Sequence, residues 1–163
     1  MVAQSKQRSW SAAATKPKEP QTFWWLTPHA TKAAATVTAS SNVDVHRSVQ
    51  EGVPFSAFEA FLTLSALPRS EVLAIADLSS RTLHRRKAAG RLTPIESDRL
   101  WRVTNLYRLA VELFDGSYAE ASEWLSSPCR GLGGASPLTY AQTEAGAREV
   151  EQLIGRLEHG VVS

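Results

Sequence analysis

The sequence predicts an all-α protein in which a longer helical domain is followed by a small one, after an N-terminal arm. Three observations carry that reading. From Pro54 onward apolar residues recur at spacings of three and four, and strict alternation is absent. Ser, Thr or a first-turn Pro precedes most of these runs, and Gly, Pro or Asp closes them. With 43% hydrophobic and 21% charged residues in a chain of 163, there is enough apolar material for the core of one domain or two small ones.

Residues 1–50 read as a mobile or irregular arm, because Ala, Thr, Ser and Lys are scattered without period and Pro17, Pro20 and Pro28 interrupt any helix. Its exception is the apolar knot Phe23, Trp24, Trp25 and Leu26, suited to docking on the domain or on a partner. Val43, Val45 and Val49 are expected to form a short extended entry into the fold. The stretch up to Lys18 is basic, but its single arginine and lack of an amphipathic repeat argue against an organelle transit peptide. No apolar run approaches the roughly 18 to 20 residues of a membrane-spanning helix, and no apolar signal core opens the chain. The expected setting is the cytoplasm, with no membrane partner.

The longer domain spans 51–114. Pro54 sits at the first turn of a helix whose Phe55, Phe58, Phe61 and Leu62 share a face, and Pro68 closes it. Ser70 is read as the cap of a second helix carrying Val72, Leu73, Ile75 and Ala76. Asp77, a residue type that tolerates left-handed backbone angles, ends that helix, and Leu78 plugs the turn. Ser79 or Ser80 then caps a helix running through Lys87 until Gly90 stops it. A longer helix follows, with Thr93 as cap, Pro94 in its first turn, Glu96 at the capping-box position and an apolar stripe of Leu100, Val103, Tyr107, Ala110 and Phe114.

The small domain, 115–163, begins after the stop at Asp115 and Gly116. Ser117 opens a short helix that packs through Ala119, Trp124 and Leu125 and ends at Pro128. Gly131, Leu132, Gly133 and Gly134 form a tight connection, and Ser136 with Pro137 starts one more turn. Thr143, or alternatively Gln142, caps the last helix, which carries Ala147, Val150, Ile154, Leu157 and Val161 and closes at His159 and Gly160.

The formal net charge of +2 hides a sorting along the chain: residues 69–102 carry eight bases and four acids, whereas residues 103–163 carry four bases and eight acids. A basic middle and an acidic end suit two different partners. The basic part coincides with a helix, a tight plugged turn and a second helix over Ser70–Ala89, the requirements of a helix-turn-helix. In a major groove Ser80, Arg81, His84 and Arg85 would lie near the bases, Arg being suited to the O6 and N7 acceptors of guanine, and Arg86, Lys87 and Arg91 would meet phosphates. The alternative is a solvated basic helix in an ordinary bundle. In the acidic part Glu144 and Arg148 are either a surface pair or, with Glu149, Glu151, Gln152, Arg156 and Glu158, the edge of a partner-binding face.

Catalytic chemistry finds little support. His29, His46, His84 and His159 are dispersed, with no i, i+4 metal pair, and no Ser or Cys has a nucleophile-elbow context. One cysteine, Cys129, excludes an intramolecular disulfide and a Cys-rich zinc site and is read as a small apolar residue. The glycine-rich turn lacks the Lys and Ser or Thr of a phosphate loop. No catalytic residue, metal site or cofactor is expected.

Several motifs nonetheless occur in a telling order: Arg81-Thr82-Leu83 with Arg85-Arg86, Gly90-Arg91-Leu92, Glu96-Ser97-Asp98-Arg99, Trp124-Leu125, Leu132-Gly133-Gly134, Pro137-Leu138, Thr143-Glu144-Ala145-Gly146-Ala147 and Gly155-Arg156-Leu157-Glu158-His159-Gly160-Val161. From about Val43 onward the chain resembles an Xre/MbcA/ParS-type antitoxin, the partner of an RES-domain toxin in a type II toxin-antitoxin pair. The resemblance implies a non-enzymatic protein with a helix-turn-helix domain and a C-terminal toxin-binding domain. It implies that the chain blocks the active site of an NAD-degrading toxin and that, alone or in complex, it represses its own operon. DNA reading then falls on Arg81, Thr82, Arg85 and Arg86. Toxin binding falls on the segment from Trp124 through Arg130 and on Thr143, Glu144, Arg148, Arg156, Glu158 and His159, with the tail nearest the toxin's site. Asp77 departs from the family pattern, which has Gly in the turn. A homodimer within a larger complex is expected, reading paired operator half-sites with moderate, salt-sensitive affinity. The runner-up is a stand-alone helix-turn-helix transcriptional regulator with a C-terminal oligomerisation or effector domain.

Overall fold

The computed structural model describes residues 42–160, helices joined by turns with one isolated antiparallel bridge between Pro54 and Arg91; the apolar knot at Phe23–Leu26, the rest of the arm before residue 42, and Val161 lie outside the described residues. Among the described residues, eight α-helices follow one another: α1 (Asn42–Glu51), α2 (Phe55–Ser65), α3 (Arg69–Ala76), α4 (Ser80–Ala89), α5 (Pro94–Leu113), α6 (Tyr118–Ser126), α7 (Pro137–Tyr140) and α8 (Glu144–Glu158). A 3-10 turn at Arg130–Leu132 lies between α6 and α7.

The expected extended entry at Val43, Val45 and Val49 is corrected to a helix. α1 packs along α5, and burial of Val49 and Ser48 against that surface outweighs the weak helix propensity of β-branched residues. Two cap assignments also move. Pro54 precedes α2 rather than sitting in its first turn, and Pro68 takes the place given to Ser70, which lies inside α3. The other predicted caps hold: Ser79, Thr93, Ser117, Ser136 and Thr143 each accept a backbone N–H from the first turn of their helix.

α5 is the hub, with α1, α3, α6 and α8 all packed on it. Its predicted stripe is fully buried at Leu100, Val103, Tyr107 and Ala110 and half-buried at Phe114. Leu106 is fully buried as well, because a helix wrapped by four others needs a broader apolar face than one stripe. Phe61 meets the Tyr107 ring edge-on at 5.8 Å, and Tyr118 stacks on it at 6.4 Å. Burial pushes the Tyr107 phenol above its ordinary range.

The chain turns at Asp115 and Gly116, both left-handed, but the core does not divide there. One apolar cluster contains Phe58, Val72 and Leu78 from the first part and Leu125, Leu138 and Val150 from the second. Ser122 Oγ donates to the Ser65 carbonyl at 2.5 Å, tying α6 to the end of α2. A small non-helical clip joins two other distant segments. Leu92 N–H donates to Val53 O and Phe55 N–H to Gly90 O, each at 2.9 Å, so the chain after α4 is pinned beside the start of α2. Gly52 makes the clip possible: its φ is +84°, and a Cβ there would lie 2.2 Å from the Leu92 carbonyl oxygen.

Candidate functional site

The turn between α3 and α4 is built from backbone hydrogen bonds. Asp77 N–H donates to Ala74 O at 3.2 Å and Leu78 N–H to Leu73 O at 2.9 Å, the paired bonds of a Schellman stop. Asp77 takes the left-handed position with φ 56° and ψ 44°, and its carboxylate receives Arg99 Nη1 of α5 at 2.8 Å. Aspartate thus supplies a tether to α5 where glycine would supply only conformational freedom. Leu78, buried as the plug, draws the turn onto the core.

α4 then leaves the core with none of its ten residues fully buried. Leu83 half-buries against the apolar cluster, while Ser80, Arg81, His84, Arg85 and Lys87 are exposed. Arg81, His84, Arg85 and Ala88, at helical spacings of three, four and seven from the first, form one outward face. Arg81 and Arg85 have no ion-pair partner among the described residues. Ala88 carries no charge to mark it in the sequence, although the spacing from Arg81 locates it.

Three of the eight proposed DNA contacts are engaged elsewhere. Arg86 faces inward: its Nε donates to both Glu96 carboxylate oxygens, at 3.0 and 2.7 Å, and its side chain is only 18% exposed. Spacing placed it with the surface cations, but its partner ten residues away could not be read from a helix pattern. Thr82 lies half-buried beside the Ser79 cap, Oγ to Oγ1 3.0 Å. Arg91 stands outside α4, where Nη1 donates to the carbonyls of Glu51 and Gly52 at 3.0 and 2.9 Å. Lys87 is exposed, 3.6 Å from Glu59.

The candidate toxin contacts fall into separate groups. Thr143 and Glu144 open α8. Thr143 caps it, and Glu144 bridges Arg102 at 3.0 Å and Arg148 at 3.1 Å. Glu158 and His159 are exposed at the other end of α8, about 21 Å away by helical rise. Between them Arg156 reaches Glu149 at 3.3 Å. Trp124 is half-buried, its ring 6.2 Å from that of Phe114, and Arg130 is exposed in the 3-10 turn. That turn lies against the middle of α8, since a Cβ on Gly131 would sit 3.2 Å from Leu153 Cδ1. Arg148, Gln152, Gly155 and His159 line the side of α8 opposite its buried stripe.

α8 runs along α5 in the same direction, Glu144 meeting Arg102 and Glu151 accepting from Asn105 Nδ2 at 2.8 Å. α4, by contrast, is tied to the start of α5 through Glu96 and Arg99. The outward basic helix and the far end of α8 therefore lie toward opposite ends of a 20-residue helix, about 30 Å long. Among the described residues, no cluster of His, Cys, Asp and Glu could hold a metal ion, and no helix is long and apolar enough to cross a membrane.

Residues 44–105 match the family model of the antitoxin Xre-like helix-turn-helix domain, and residues 109–160 match that of the antitoxin Xre/MbcA/ParS C-terminal toxin-binding domain. The chain is 41% identical over 117 residues to an antitoxin Xre of Yersinia enterocolitica serotype O:8 / biotype 1B, covering 71% of this chain and 79% of that one. The chain belongs to the Xre antitoxin family. An antitoxin Xre of Photorhabdus laumondii subsp. laumondii is 36% identical over 126 residues, 77% of this chain and 85% of the relative. A third, from Pseudomonas putida, is 27% identical over 125 residues, 74% of this chain and 75% of its own. As an Xre antitoxin the chain is a regulatory protein of a toxin-antitoxin system, not an enzyme. Its two matched regions meet inside α5, the element on which both are assembled.

Proposed function

We propose that this antitoxin neutralises a cognate RES-domain, NAD-degrading toxin by covering its active site, and that, alone or with the toxin, it represses its own operon. The observation that carries the reading is the order of the two matched regions on one frame. A helix-turn-helix whose second helix turns unpaired Arg81 and Arg85 outward is followed by a region of toxin-binding type around α8. Arg81 and Arg85 read base edges with Ser80 and His84 beside them, and Lys87 meets phosphates. Trp124, Arg130, Arg148, Arg156, Glu158 and His159 face the toxin, while Thr143 and Glu144 hold α8 in place for it. Two copies read paired half-sites about one helical turn apart.

The test is co-expression with a cognate RES-domain toxin. Growth is rescued by the full chain and lost when the tail from Gly155 is removed, whereas operator binding survives that truncation. Retained rescue would refute the assignment of the tail. Arg81→Ala with Arg85→Ala weakens operator binding by about 1–3 kcal/mol for each arginine–base pairing removed and leaves neutralisation intact. A gel-shift affinity equal to that of the unaltered protein would remove α4 as the reader.

A further inference from the structure

The reading helix has almost no grip of its own on the core. Its hold consists of the half-buried Leu83, the capped turns at its two ends, the Phe55 N–H to Gly90 O bond at its C-cap, the exposed Lys87–Glu59 pair and the Arg86–Glu96 contact. Of the side-chain contacts only the last is both polar and substantially buried, with Glu96 7% exposed. Glu96 also serves α5 directly, since its Oε2 accepts Thr93 N–H at 2.8 Å and so completes the capping box that begins that helix. One carboxylate therefore joins the inward side of α4 to the first turn of the hub helix. Arg86 follows directly after Arg85 and lies five residues from Arg81, so the joint sits close to the residues that face outward.

We propose that Arg86 is a positioning residue for operator reading: gripped by Glu96, it fixes the rotation and tilt at which α4 presents Arg81, His84 and Arg85. The proposal rests on the DNA-binding reading of α4. Bidentate base contacts require donors held within about 0.5 Å of their productive places, and a helix tied down by one apolar residue, its caps and one backbone bond at its end does not fix its rotation that closely. The contact depends on the arginine side chain in particular, because its Nε alone reaches both carboxylate oxygens. Lysine keeps the charge but offers a flexible ammonium in place of a planar guanidinium. A phosphate contact would tolerate that exchange, and a positioning contact does not.

The decisive variant is Arg86→Lys in the full chain, measured by gel shift on operator DNA and on an unrelated duplex over a range of salt. Operator affinity should fall by about tenfold or more, the equivalent of one good base pairing by an arginine. Affinity for the unrelated duplex and the salt dependence should stay unchanged, because no charge has been removed. Toxin neutralisation and a cooperative thermal melt should persist. Operator affinity within about twofold of the unaltered protein overturns the proposal, as does an equal loss on both duplexes. Should Arg86→Lys fail to melt cooperatively, Glu96→Gln replaces it, since glutamine preserves the capping box. The same selective loss is expected there, and its absence overturns the proposal. Arg81→Ala with Arg85→Ala separates the two levels. If that variant binds operator normally, the reading of α4 itself fails, and if it loses operator while Arg86→Lys does not, only the positioning role fails.

Discussion

Two glycines in the same helix should respond oppositely to alanine. At Gly146, in the first turn of α8, an added Cβ would lie 1.9 Å from the Tyr140 carbonyl oxygen and 2.9 Å from its carbon. That is more than 1 Å inside ordinary contact distance for heavy atoms, roughly 3.5 Å, and the obstacle is backbone rather than a flexible side-chain end. The helix start must retreat, loosening the bond from Gly146 N–H to Thr143 Oγ1, 3.0 Å, and the seating of the buried Ala147 and Val150. Against a propensity gain of up to about 1 kcal/mol, overpacking of this kind costs about 1–3 kcal/mol and a lost cap about 1 kcal/mol. Gly146→Ala should therefore destabilise by about 1–3 kcal/mol, lowering the melting temperature by about 3–10 °C. At Gly155 a Cβ would meet nothing within 4 Å. Gly155→Ala should raise stability by about 0.5–1 kcal/mol, or about 2–5 °C. Far-UV circular dichroism melts of the two variants against the unaltered protein are sufficient. A neutral Gly146→Ala, or a destabilised Gly155→Ala, would refute the reasoning. A Gly155→Ala protein that melts higher yet neutralises toxin less would place the partner's surface against this turn of α8.

Asp77→Gly should stabilise by up to about 1 kcal/mol in a urea titration, because the left-handed strain it relieves exceeds the worth of an ion pair to Arg99 whose carboxylate is 78% exposed. Burial pushes the Glu96 carboxyl up, but the Arg86 hydrogen bonds and those from Thr93 outweigh it, so the group titrates below its ordinary value. Its contribution is full above the ordinary glutamate range, near pH 4.3, and disappears as pH falls through the lowered folded value. Melts should therefore show an acid-side loss that Glu96→Gln reduces; identical acid limbs would sink this assignment. Leu78→Ala, emptying the buried turn plug, should cost about 2–5 kcal/mol in the same titration, and a cost below about 1 kcal/mol would mean the turn is held by its backbone bonds alone.

Features that depend on local chemistry were legible in the sequence. A cap needs an oxygen two or three residues before the N–H it accepts, so Ser79, Thr93 and Thr143 announce their helices. The left-handed turn at Asp77 and the core stripes of α5 and α8 follow from residue type and spacing in the same way. What was not legible depends on segments far apart in the chain. Arg86 has the same composition and spacing as Arg85, and only Glu96 of α5 turns it inward. Glu144 reads as half of a pair with Arg148, yet it also bridges to Arg102, 42 positions earlier. Gly146 differs from Gly155 only because α7 returns its backbone to one of them. The α1 helix is not legible because its valines favour strand, and the surface of α5 that overrules them comes later in the chain.

The small net charge of +2 acquires a structural meaning from α5. Of the carboxylates after residue 102, Glu112, Glu144 and Glu149 are neutralised by arginines within the fold. Asp115, Glu120, Glu123 and Glu158 form no ion pair among the described residues and are all exposed. They lie just beyond α5, in α6 and at the end of α8, whereas the unpaired Arg81 and Arg85 lie beyond its start. Arg81 and Arg85 thus stand toward the start of α5 and Asp115 just past its end, a helix length, or more than about three Debye lengths, apart at physiological salt. At that separation the acidic end neither repels DNA from α4 nor screens its arginines. A basic surface on a partner can occupy one end while a phosphate backbone occupies the other, and direct electrostatic coupling between the two events is negligible. Any dependence of DNA binding on the toxin must then travel through shape or copy number, and a salt-independent ratio of operator affinities with and without toxin is the signature to measure.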